Sequence, residues 1–176
     1  METSTLVTHR ADALKTILSA GLLAGALDIA DAILYFGLRF GISAKMIFMH
    51  IASGLTGPRY VTHHLAVSVV LGFCLHFLIA CSAATLFYLV ARLLPSIASR
   101  PYTFGTLLGL VWYGFMYNIV IPLSAVPRNP NAKFSFPNFL NELLAHVFLV
   151  GIPIALMVRR SARFMFEEVL AMEGRK

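Results

Sequence analysis

The sequence predicts an all-α protein: a polytopic transmembrane four-helix bundle with a short interfacial helix after the first span and an amphipathic C-terminal tail. Composition is the first ground, with 59% hydrophobic residues, 12% charged residues and a mean hydropathy of +0.79, beyond the usual range of a soluble domain. Length is the second, because 176 residues hold about four bilayer-crossing helices of roughly 20 residues each and little besides. The third is the placement of charge, which gathers at the ends of apolar tracts instead of along a solvated face. That pattern excludes a large soluble domain and a nucleic-acid interface, although the net charge is +6. The expected partner of the basic residues is the anionic lipid headgroup at the cytoplasmic face, within a single integral domain over 1–176.

Five tracts follow in order. The first span is expected over 14–38, apolar apart from Lys15 and two aspartates. A shorter tract over 43–55 carries Lys45 and His50, ends at Gly57 and Pro58, and is too short to cross, hence interfacial. The second span runs 65–94 and stops at Pro95. The third covers 104–126 with Pro122 near its end, and the fourth 140–158 with Gly151 and Pro153 as a kink. The tail over 159–176 combines Arg159, Arg160 and Arg163 with Phe164, Met165, Phe166, Val169 and Leu170, as in a short amphipathic helix lying on a membrane surface.

Orientation follows from the basic residues. With the N-terminus inside, nine Lys and Arg lie on the inner side against five outside (Arg39, Lys45, Arg59, Arg128 and Lys133), which favours both termini in the cytoplasm. A cleavable signal peptide ending near Ala24-Gly25-Ala26 is disfavoured because apolar sequence continues to Phe40. Cys74 and Cys81, seven residues apart on one helix, stand roughly 10 Å apart and cannot form a disulfide. They read as packing residues.

Ionisable groups at membrane depth cost about 2.5–3.5 kcal/mol each even on the lenient insertion scale, so their placement is informative. Asp28, Asp31, His76, Asn118, Glu142 and His146 fall within or at the edge of the expected spans, at least one in each. At about 1.5 Å per residue, all six fall on the outer side of the midplane despite alternating helix directions. Small residues share their faces: Gly21, Gly25 and Ala32 with Asp28, Gly72, Ala80 and Ala83 with His76, and Gly114 with Asn118. Gly105 and Gly109 add a weaker close-packing signal.

Asp28 and Asp31 present two carboxylates on one helix, and Glu142 and His146 a carboxylate and an imidazole on another. Two such carboxylates need a shared proton, a bound cation or an imidazolium. The expected site is a proton or divalent transition-metal site built from Asp28, Asp31, His76, His146 and Glu142. Asn118 and Tyr117 would support it, and His50, His63 and His64 from the first outer loop would lid or extend it. Trp112, Tyr113 and Tyr117 lie too deep for an interfacial belt and read as core, with the tyrosines hydrogen-bonding into the cluster.

Other readings of these residues are hydrogen bonds that merely hold helices in register, haem bound by His76 and His146, an intramembrane acid–base enzyme, and an assembly factor without a site. The enzyme reading is disfavoured, since no GxSxG, HExxH or phosphate-binding glycine loop is present. A permeation role would call for a homo-oligomer, because 19.4 kDa encloses little volume.

The segments AGALDIADAILYFGLR, HIASGLTG, HFLIACSAATLFYLVARLLP, RPYTFGTLLGLVWYGFMYNIVIPLSAVP and HVFLVGIPIALMVRR resemble an uncharacterised family of small four-span bacterial inner-membrane proteins, over about Gly21 to Arg160. The resemblance implies location and topology, and brings no activity, cofactor or binding residue with it.

Overall fold

Long apolar tracts dictate the architecture, because a backbone in lipid must satisfy its own hydrogen bonds and does so as helix. The computed structural model describes residues 2–127 and 133–161, with side chains from residue 12 onward. Among these residues there is no strand. The helices are α1 (Glu2–Phe40), α2 (Ala44–Thr56), α3 (Pro58–His63), α4 (Leu65–Leu93), α5 (Pro95–Ser99), α6 (Pro101–Leu123) and α7 (Phe136–Ser161). Four stretches are long and apolar enough to cross a bilayer: Asp12–Phe40 of α1, and the whole of α4, α6 and α7. Exposed Leu22, Leu34, Leu78, Leu110 and Phe148 give the bundle an apolar outer surface suited to lipid. The tail beyond Ser161, where the amphipathic segment is expected, lies outside the described residues.

Helix ends differ from the sequence expectation by a few residues for local reasons. Pro101 starts α6 because its missing N–H is one that a first helical turn leaves unpaired anyway. The same helix stops at Leu123 because Ser124 turns extended, so 124–126 is not spanning helix. Gly41, at φ +67°, ends α1 in a conformation that a side chain resists. The Ser43 hydroxyl accepts from the Met46 amide and caps α2.

Antiparallel pairing of α1 with α7 is marked by polar contacts whose numbers rise in one helix as they fall in the other. Thr16 meets Ser161 at 2.6 Å, Asn141 Nδ2 donates to Asp31 at 2.8 Å, and Tyr35 donates to Asn138 at 3.1 Å. Helix α1 also packs along α4, and α6 along α7. Glycines permit these approaches. A Cβ on Gly21 would fall 2.6 Å from the Cys81 Cα, and one on Gly151 would fall 2.6 Å from the Gly109 amide nitrogen. Gly105 and Gly109, a weak signal in the sequence, thus form the closest backbone seam between α6 and α7.

Both prolines within α6 and α7 follow a widened turn. Met116–Val120 and His146–Gly151 are π-helical, each ending shortly before Pro122 or Pro153. A proline offers no N–H to the carbonyl four residues back and crowds it with its ring, and a wider turn relieves both. The irregularity that the sequence suggests at Gly151 and Pro153 is a π-helical turn that begins at His146.

The two ends of the bundle differ. Toward the Thr16–Ser161 end, Ala20, Ala24, Ala84, Phe87, Leu108, Ile154 and Ala155 fill a continuous apolar core, with Trp112 at its edge. Toward the other end α2 packs along α4, so close that a Cβ on Gly72 would fall 2.6 Å from the Phe48 carbonyl carbon. The Ala125 amide donates to the Gly54 carbonyl at 2.9 Å and ties α2 to the segment after α6. Helix α2 is thus a wall of the bundle as well as an amphipathic surface element, and Gly72 serves its packing and not that of a spanning helix.

Candidate functional site

A cavity of about 240 Å³ opens between this wall and the apolar core. Asp28 from α1, His76 from α4 and His146 from α7 line it, with Ile47 and Ile51 of α2 and Trp112 and Met116 of α6. Three of the five residues expected to form the site thus line one cavity from three helices. Their common depth in the sequence is what places them there.

Each imidazole is anchored by a backbone carbonyl. His76 Nε2 lies 2.8 Å from the Gly25 oxygen, and His146 Nδ1 lies 2.8 Å from the Glu142 oxygen one turn back on its own helix. A carbonyl oxygen only accepts, so each of these nitrogens carries the proton. In the neutral ring this leaves His76 Nδ1 and His146 Nε2 as acceptors, opposite tautomers fixed by the main chain. The His146 ring also meets Tyr113 edge-on at 5.4 Å, which limits its rotation.

Asp28 stands apart from its polar neighbours. Among the described residues no hydrogen bond reaches its carboxyl, while His146, His76 and Asp31 are its electrostatic neighbours. Asp31, three residues on, is held by Asn141. Glu142 accepts from the Tyr117 hydroxyl and feels the charge of Asp28. Asn141 and Asn138, which pair with Asp31 and Tyr35, are site neighbours that the sequence reading missed; their signal was amide side chains at the start of the fourth span, opposite polar residues of the first.

The remaining candidates take other roles. Asn118 is exposed and donates to the Gly114 carbonyl of its own helix at 2.7 Å, so it points out of the cluster. His50, His63 and His64 are exposed and do not line the cavity, and His64 stacks on Tyr60 at 4.4 Å. Closure over the cavity comes from Ile47 and Ile51 instead. Cys74 and Cys81 are free thiols. Among the described residues no three His, Cys, Asp or Glu side chains are grouped as a metal ion would require; Asp31 and Glu142 take part in other hydrogen bonds.

Compared with protein-family models, curated proteins and solved structures, the chain matches none. The four apolar helices define a small helical membrane protein, and that class rests on the chain's own structure.

Proposed function

We propose that this chain is an integral protein of the bacterial inner membrane, with both ends of the spanning region on the cytoplasmic side, that takes up and releases a proton or other cation at Asp28. The excess of Lys and Arg that the sequence assigns to the inner segments, with Arg92 and Arg100 exposed at the Thr16–Ser161 end, supports that orientation and contact with anionic headgroups there. One observation carries the functional reading: a carboxyl without a hydrogen bond among the described residues lines the same cavity as two imidazoles that each keep one nitrogen lone pair. Hydrogen bonds that only hold helices in register do not call for an unpaired acid. Asp31–Asn141 and Tyr35–Asn138 already fill that role.

Size and donor set narrow the cation. A cavity of about 240 Å³ is below the roughly 300–1,000 Å³ of drug-sized ligand pockets, which disfavours haem. The lack of a three-ligand group among the described residues favours a proton over a transition metal. The apolar core closes the cavity toward the Thr16–Ser161 end, so passage across the membrane would take a helix rearrangement or a second copy.

Infrared difference spectroscopy across a pH titration of the protein in detergent tests the reading. A carboxylic-acid C=O band should titrate and disappear in Asp28→Asn, while Asp31→Asn and Glu142→Gln, which alter the other carboxyls near it, leave it in place. A spectrum unchanged by Asp28→Asn rejects the site.

A further inference from the structure

The polar groups of the cavity define the chemical class of its ligand. Asp28 offers a carboxylate, and His76 and His146, with their N–H groups committed to the Gly25 and Glu142 carbonyls, offer lone pairs. Trp112 adds an aromatic wall. One carboxylate, two imidazoles with their N–H groups committed elsewhere, and one indole ring thus line the cavity. The rest of the lining is apolar, including Ile47, Ile51 and Met116.

We infer that the cavity binds a small primary ammonium carrying a short apolar group. This rests on the cation-site reading above and names its ligand. An ammonium brings N–H donors and one positive charge on a compact head, which suit the Asp28 carboxylate at the cavity wall. An alkali cation prefers all-oxygen ligands, and imidazole nitrogens serve it poorly. The apolar tail of the ligand packs on the isoleucines of α2, and the Trp112 ring attracts the charge. An apolar cavity of about 150 Å³ accommodates benzene, so one of about 240 Å³ has room for a four- or five-carbon body.

Trp112 is the sole tryptophan of the chain, so the cavity carries its own reporter. The protein in detergent is titrated with n-butylammonium, with 1-pentanol as a neutral molecule of similar size, and with tetramethylammonium as a charge without N–H donors. Trp112 emission should change and saturate with n-butylammonium, while 1-pentanol and tetramethylammonium bind about tenfold more weakly or worse. Asp28→Asn should weaken n-butylammonium by about tenfold to a hundredfold. Ile51→Phe, which narrows the cavity from α2 without touching charge, should also weaken it and covers the case in which Asp28→Asn fails to fold. Equal binding of 1-pentanol and n-butylammonium, or affinity unchanged by both substitutions, overturns the inference. If the Asp28 carboxyl band titrates but no ammonium saturates, the ammonium class is wrong and the proton site stands; if neither occurs, both fall.

Discussion

The His76 imidazole crosses from α4 to the Gly25 carbonyl oxygen of α1, 2.8 Å away, at the point where Gly25 lets the Phe77 ring and Ala80 approach its backbone. One side chain thus joins two spanning helices and orients a ring in the cavity wall. Interhelical hydrogen bonds in membranes average about 0.6 kcal/mol and reach about 1.7. His76→Leu should therefore cost about 0.6–1.7 kcal/mol in denaturant unfolding from mixed micelles and leave the protein folded. A cost well above 3 kcal/mol would mean that His76 is chiefly a structural keystone.

Gly151 is the tightest point between α6 and α7, with its Cα facing the Gly109 backbone and the Gly105 carbonyl. Gly151→Ala should force the helices apart and cost about 1–3 kcal/mol or more, since the obstacle is backbone and cannot rotate away. Gly114→Ala is the matched control. The nearest atom to its new Cβ is Asn118 Nδ2 at 4.0 Å, so stability should be unchanged or slightly raised.

Gly72 seats α2 against α4, and a methyl group there meets the Phe48 carbonyl. Gly72→Ala should lift α2 and expose the cavity. Acrylamide quenching of Trp112 should increase, because Ile47 and Ile51 no longer cover the space that the indole lines. Quenching equal to that of the parent protein would show that α2 is not the covering element.

Tyr117 and Asn118 are neighbours in sequence with opposite roles. Tyr117 donates to Glu142 on α7, whereas Asn118 turns outward and bonds its own helix. Tyr117→Phe should cost about 0.6–1.7 kcal/mol by removing an interhelical hydrogen bond. Asn118→Leu should stay within about 0.5 kcal/mol of the parent in the same unfolding assay.

Much of this was legible in the sequence because lipid is an exacting solvent. Acids and imidazoles inside apolar tracts drew attention to Asp28, His76 and His146, and counting residues from each span centre placed them on the same side of the midplane. What stayed hidden is set by the direction of side chains. The π-helical turn at Met116–Val120 changes the helical register at Asn118, and nothing in residue type marks such a turn beyond the proline that follows it. Ile47 and Ile51 did not stand out within the tract read as interfacial, since an apolar side chain carries no sign of whether it meets lipid or a cavity. The histidines beside them in the loop drew attention by their chemistry, yet all three face outward.

Nitrogen-15 NMR of the imidazoles tests the central claim most directly, with His76→Gln and His146→Gln used to assign the signals. At a pH where the rings are neutral, His76 should carry its proton on Nε2 and His146 on Nδ1, and Asp28→Asn should shift both. Two rings in the same tautomer, or signals indifferent to Asp28→Asn, would contradict a cavity shared by the three residues.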